Sequence, residues 1–469
     1  MLESPSIMWF RNDLRISDNL AFVASAQHKE VIPIYIYDES YGGKGGASKV
    51  WLHHSLIELG KKLQNKLQVF SGDSMEILSN LCVKYNVTAV YGSEFFDPKK
   101  RKLDDHIRQR LDARGIQLII SNSTVLWHPE SIKDKAGKVY EVFSPYYRKG
   151  CLKAPSPKEP LGIPAHSLHS DLTESGPDRL NLLPKEGWDK HVYNNKWKAG
   201  SDEAEKILDH FLIDGVKNYK SGRNFPAENF VSRLSPHIAF GEISINEIWY
   251  KSLEIEQDKN VEHFRFELGW REFSYYQLYH WPSITEKNIK TSFDGYPWGY
   301  NEVFFQAWCR GLTGVPIVDA GMRELWQTGY INNRVRLLVA SFLVDYLMID
   351  WRHGLKWFDD TLFDADTANN AASWQWVAGC GLDPVDYPRI FNPVTQSKKF
   401  DSDGEYIRRF IPELSELDTT EIHAPWLLSE DKLKNYGLTL GKNYPRPIVD
   451  LEKAYNNAKK VFEDYFGKG

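Results

Sequence analysis

Five short apolar runs near the start of the chain, spaced by segments long enough for helices, restrict the fold more than any other feature of the sequence. They are Ser6 to Phe10, Val31 to Tyr37, Leu67 to Phe70, Thr88 to Tyr91 and Leu118 to Ile120. Between them, Ala47 to Lys66 and Asp97 to Arg114 repeat apolar residues at helical spacing. Strand and helix in alternation predict a doubly wound parallel sheet with helices on both faces. Ligands of such sheets sit beyond the carboxyl ends of the strands, which puts Arg11 to Arg15 near any crevice. The run Gly42 to Gly46 lacks the spacing of a phosphate loop and reads as a flexible connection.

At 469 residues the chain is too long for one core, since cores stop growing near roughly 250 to 300 residues. From Lys153 to about Lys198 the pattern dissolves into Pro, Ser, Gly, Lys and Asn, and after Asp202 helices with bulky aromatics take over. The expected organisation is a Rossmann-like α/β domain over 1–130, a linker over 131–200 and an all-α domain over 201–469. A net charge of −5 argues against a protein that coats nucleic acid non-specifically and leaves room for a local basic patch. The four cysteines lie far apart without a CxxC pair, so neither a zinc site nor a disulfide framework is expected. With no leader and no apolar run of spanning length, a soluble cytoplasmic monomer is expected, with no membrane contact.

The helical half holds an unusual stretch, Tyr330 to Trp376. Its centre is apolar enough for a buried helix, yet Asn333, Arg334 and Arg336 crowd its start, and Asp364, Asp366, Asn369 and Asn370 follow. Such polarity in a core implies internal ion pairs or a polar ligand, because unpaired buried charge costs several kcal/mol. Three other segments share this character. Tyr219 and the stretch Phe230 to Ser244 offer hydroxyls beside a helix start, where backbone N–H groups can meet a diphosphate. In Phe264 to Phe273, Glu267, Trp270 and Arg271 fall at i, i+3 and i+4 on one helical face. The fourth segment is Arg389 to Asp401. Each has an ordinary reading alone: hydroxyls cap helices everywhere, and a Glu–Arg pair usually marks a solvated face.

Taken together, in this order and spacing, these segments resemble the photolyase and cryptochrome flavoprotein family, from Met8–Asn19 to Tyr444–Asp450 and most strongly from Leu234 to Phe400. Within it, the chain is most similar to class I cyclobutane pyrimidine dimer photolyases of bacterial type. The resemblance implies FAD in the helical domain, with Tyr219, Ser232, Leu234 and Ser235 at the diphosphate and Arg271 nearby. Arg336 and Asp364 would pair beside the isoalloxazine ring, with Asp366 adjacent and Asn370 facing N5.

The resemblance also implies light-driven repair of UV-damaged DNA, with Glu267, Trp270, Asn333 and Trp376 receiving the flipped-out dimer. Trp374, Trp351 and Trp298 would form an electron path, and Arg334, Arg389, Lys398 and Lys399 would contact phosphates. An antenna chromophore (a folate, a deazaflavin or a second flavin) often accompanies FAD in this family. Four departures stand out. Val231 replaces a threonine, Leu337 replaces a methionine, and Ser93 and Phe95 break the usual antenna patterns. Val385 to Arg389 differs in aromatic spacing. A cryptochrome-type blue-light photoreceptor without repair is the competing expectation. A lesion of the (6-4) type is disfavoured by Asn333 and Leu337, where histidines would be needed.

Overall fold

The computed structural model describes residues 2–169, 176–193, 197–383 and 389–467. Strands β1 (Ser6–Phe10), β2 (Val31–Tyr37), β3 (Gln68–Ser71), β4 (Ala89–Ser93) and β5 (Gln117–Ser121) form one sheet in the order β3-β2-β1-β4-β5. Every neighbouring pair is parallel. All residues of β1, β2 and β4 are buried, which is why they read as continuous apolar runs and not as alternation. The connections carry α1 (Leu20–Ser25), α2 (Gly46–Lys62), α3 (Ser74–Tyr85) and α4 (Pro98–Asp112). Asp73 and Asp97 cap α3 and α4 by accepting backbone N–H groups, and Asn86 closes α3 at a φ of 51°.

The expected crevice arginines have other duties. The strand order reverses at β1, where β2 and β4 flank it, and ligands commonly enter at such a switch point. Here Arg11 donates two bonds to the Asp104 carboxylate, at 2.7 and 2.8 Å. Its guanidinium lies 3.8 Å from the Trp9 ring centroid, and the Tyr41 hydroxyl donates to the same carboxylate. Arg15 is buried too and is spent on the carbonyls of Asp18, Ser123 and Gly241. Both cations are structural.

By packing, the chain divides into two units. The first comprises Met1–Lys217, Ser232–Pro282 and Phe363–Ala368; the second comprises Asn218–Val231, Ser283–Leu362 and Asn369–Gly469. The first unit therefore joins the sheet to α5 (Lys259–His280), a helix well inside the second half of the sequence. The Pro-rich stretch after Lys153, read from sequence as a linker, meets the sheet: Val31 donates to the Ser167 carbonyl and His169 donates back to Val31. The second unit contains α6 (Pro316–Thr328), α7 (Asn333–Ser341), α8 (Trp351–Thr361), the part of α9 (Thr367–Ala378) from Asn369 onward, α10 (Pro393–Phe400) and α11 (Leu451–Phe466). No helix among the described residues is long and apolar enough to cross a membrane.

A π-turn over Phe342–Tyr346 follows α7 and holds Asp345 partly buried. Burial pushes the Asp345 carboxyl up to about 7, against the Ser341 hydroxyl that donates to it at 2.6 Å. The folded state thus holds a proton that the unfolded chain releases near the ordinary aspartate range, so this group's contribution is full at low pH and is lost as pH rises from about 4 to about 7. Asp345→Asn keeps an acceptor for Ser341. It should gain stability over the native chain across that window, by roughly 2 to 4 kcal/mol, as each tenfold change in proton affinity is worth about 1.4 kcal/mol. Urea melts at pH 5 and pH 8 check this; an equal difference at both would rule it out.

Candidate functional site

Within the first unit, candidate residues lie on one face of α5 and in the turns around it. Trp270 is half-buried and stacks on Phe143 with ring centroids 3.8 Å apart at 19°. That support depends on Gly269, where a Cβ would come within 2.5 Å of the Tyr147 ring that stacks on Phe143. Glu267, one turn earlier, meets His263 at 3.4 Å. Arg271 donates to the Thr124 carbonyl at 2.8 Å and to Glu272 at 3.3 Å, and lies over Tyr275. Tyr275 in turn donates to Asp366. Arg271, Tyr275 and Asp366 therefore form one chain of contacts within the first unit.

Ser232, Leu234 and Ser235 cluster in the same unit. The Ser232 hydroxyl accepts from the Leu234 N–H at 3.3 Å, Arg233 takes a left-handed φ of 56°, and Ser235 opens the short helix Ser235–Ala239. Asp364 is 8% exposed. Lys44 and Lys100 also converge electrostatically on Asp366, and neither ammonium group donates a hydrogen bond among the described residues. Burial, then the charge of Lys100, push Lys44 down to about 7. Nothing in the residues adjacent to these two cations marks them in the sequence.

In the second unit, Asn332 caps α7 and places Asn333 exposed at its first turn. Arg334 is held by the Asn224 side-chain oxygen through two nitrogens, at 3.1 and 2.7 Å, and lies over Phe400. Exposed Lys399 lies over the same ring, with exposed Lys398 beside it on α10. Arg389 covers Trp376 at 3.6 Å and donates to the Asp383 carbonyl. Of the altered stretch Val385 to Arg389, Val385 to Pro388 lie outside the described residues. Arg336 donates to the Ile331 carbonyl at 2.8 Å and lies over Tyr330, and Tyr219 is buried with Arg223 over its ring.

Asn370 is positioned closely. Its amide nitrogen donates to Asp359 at 2.6 Å and to the Leu355 carbonyl at 3.2 Å. Its side-chain oxygen is then the atom left to meet a ligand, an orientation fixed by these partners and not visible in the residue type.

The three proposed electron-path tryptophans grade from interior to surface. Trp351 and Trp374 are 0% and 2% exposed, while Trp298 is half-buried. Gly354, one turn into α8, lets the Trp374 ring in: a Cβ there would lie 2.1 Å from it. Trp351 donates its indole N–H to Asn288 at 3.0 Å. Gly354 and Asn288 escape a reading of the sequence because each acts through a neighbour distant in the chain.

Each unit by itself holds groups of the kind that a flavin dinucleotide takes up. The indole N–H groups of Trp374 and Trp376 are buried without a partner among the described residues, and Asn370 presents an acceptor. In the first unit, Arg271 and the hydroxyls of Ser232 and Ser235 are groups of the kind a diphosphate requires.

Comparison with known proteins agrees with this chemistry. Residues 6–164 match the DNA photolyase family model, and residues 264–464 match the model described as the FAD binding domain of DNA photolyase. The chain is 43% identical to the deoxyribodipyrimidine photo-lyase of Agrobacterium fabrum, over 98% of both proteins. It is 34% identical to cryptochrome-1 of Arabidopsis thaliana, over 96% of this chain and 69% of that one. Among solved structures it is similar to a bacterial class III photolyase from Agrobacterium tumefaciens, with a TM-score of 0.95 and 42% identity over 99% of this chain and 98% of that one. These likenesses carry the family but not the class I likeness read from sequence. With its α/β sheet domain, helical FAD-binding domain and relatives matched end to end, the chain belongs to the photolyase/cryptochrome family.

Proposed function

We propose that this protein repairs cyclobutane pyrimidine dimers in DNA under light. The observation that carries the reading is the state of Trp270: half-buried, backed by Phe143 and one turn from Glu267 on the same face of α5. A dimer must leave the duplex to be reached, and a poorly stacked lesion costs least to extrude. Trp270 and Trp376 supply aromatic faces against which it packs, each base–aromatic stack being worth about 1 to 3 kcal/mol. Glu267 and Asn333 hydrogen-bond the pyrimidine edges. Bound FAD, reduced and photoexcited, supplies the electron that opens the cyclobutane ring.

Around the proposed FAD, Tyr219, Ser232, Leu234, Ser235 and Arg271 bind the diphosphate, and Arg336, Asp364, Asp366 and Asn370 fix the ring system. Trp374, Trp351 and Trp298 carry electrons inward during photoreduction. Arg389 lies over the Trp376 ring and, with Arg334, Lys398 and Lys399, meets phosphates around the lesion. For an antenna, the α/β domain offers Lys44 and Lys100 with Phe95, which Lys100, Tyr41 and Arg11 all contact. That lining suits an anionic ring system.

A photoreceptor without repair is the second reading, favoured by the likeness to Arabidopsis cryptochrome-1 and by Leu337 in place of a soft sulfur contact. Binding of a partner protein that responds to light and ignores DNA damage would support it.

Three outcomes are expected. Glu267→Ala should lower the light-driven repair yield severalfold while the flavin content of the purified protein stays unchanged; loss of flavin would mean Glu267 belongs to the cofactor site instead. Replacing Lys398 and Lys399 by Ala should reduce the slope of log affinity for duplex DNA against log salt by about 0.9 for each phosphate that is no longer neutralised. An unaltered slope would remove both from the interface. Heating the purified protein should release a second chromophore besides FAD, and release from a Lys44→Ala, Lys100→Ala variant should fall; release of FAD alone would dismiss the antenna.

A further inference from the structure

We propose that Tyr296 is the terminal electron donor of the path in the second unit, re-reducing Trp298 by proton-coupled electron transfer. The inference rests on the tryptophan path proposed above and takes it one residue further.

The Tyr296 and Trp298 ring centroids lie 4.6 Å apart, and a hydrogen bond of 2.8 Å from the Trp298 N–H to the Tyr296 carbonyl holds the two residues in one tight turn. On its other side Tyr296 meets Tyr465 of α11 at 5.2 Å. Tyr465 is 37% exposed, so the aromatic contacts run from Trp298 to solvent. Gly295 keeps that end open, since a Cβ there would sit 3.0 Å from the Tyr465 hydroxyl. Phe293 and Phe466 complete the cluster around Tyr296 and Trp298. Phenylalanine rings are too hard to oxidise to take part, which leaves the two phenols as the donors in ring contact within this cluster.

The oxidant is the radical cation left on Trp298 once light-driven flavin reduction has drawn an electron along the path. One electron passes from the Tyr296 ring to Trp298, the phenolic O–H bond breaks, and its proton leaves to solvent. Neutral Trp298 and a neutral tyrosyl radical remain, so charge and mass balance. Burial, with the Asp345 carboxylate nearby, pushes the Tyr296 phenol pKa up. The resting donor is therefore the protonated phenol, and its oxidation cannot occur without proton loss. That loss delays recombination, because return of the electron then requires return of a proton.

The test is flash photolysis of the FAD-loaded full chain with time-resolved electron paramagnetic resonance, on protein grown with ring-deuterated tyrosine to identify the radical. The native protein should show a tryptophan radical converting to a tyrosyl radical. Tyr296→Phe should abolish the tyrosyl signal and prolong the tryptophan radical severalfold, with packing and flavin content preserved. Tyr465→Phe should leave the formation rate of the tyrosyl radical intact. A native tryptophan radical that decays without a tyrosyl signal, at the same rate in Tyr296→Phe, would overturn the proposal while leaving the tryptophan path standing. Loss of the tyrosyl signal in Tyr465→Phe alone would also overturn it by making Tyr465 the donor. Absence of any tryptophan radical in the native protein, matching Trp374→Phe, would remove the path and this step with it.

Discussion

The first unit depends on a guanidinium buried where no solvent reaches. Arg15 is 2% exposed and is satisfied by the carbonyls of Asp18, Ser123 and Gly241, the last 226 residues away in sequence. An unsatisfied cation there would cost several kcal/mol, so the three segments are bound to come together or the core does not close. Two neighbouring contacts fix the same junction. Gly241 sits so close to Asn12 that a Cβ would fall 2.1 Å from its carbonyl oxygen, and Leu14 donates to the Phe240 carbonyl at 3.1 Å. The Ser244 hydroxyl, which caps the following helix, donates to Asp18. The loop after β1 therefore positions the turn that carries Ser232, Leu234 and Ser235.

In the second unit buried polar contacts orient candidate site residues. Asn370 is oriented by Asp359 and Leu355 so that its oxygen is presented, and Trp351 by Asn288. Trp374 is admitted by the missing side chain of Gly354. Each of these supporting groups limits the rotamers of a residue proposed for the site, which is how a site keeps its geometry without strain.

How much can be read in advance follows from how local each determinant is. The strands are legible because burial on both faces leaves continuous apolar runs; β1 and β2 match the expected boundaries residue for residue. The fate of Arg11 is not legible. Its position after a strand end cannot tell a guanidinium that awaits a ligand from one paired with Asp104, 93 residues on. The same holds for Phe95, which breaks the antenna pattern and here packs against Tyr41 beneath Arg11. Motif residues such as Glu267, Trp270 and Asn370 can be singled out through family likeness, whereas Phe143, Tyr275, Gly354 and Asn288 carry no local signal and emerge only from the packing. The attachment of α5 to the sheet is of this second kind, since it rests on contacts such as those of Glu272, which accepts from the Leu126 and Trp127 backbone.

The most direct test of the account is blue-light repair of a thymine-dimer oligonucleotide by the purified, chemically reduced protein, with a dark control and a (6-4) lesion alongside. The cyclobutane dimer should be lost in the light only, with the (6-4) lesion untouched. No dimer loss by protein that holds reduced FAD and binds the damaged strand would contradict it.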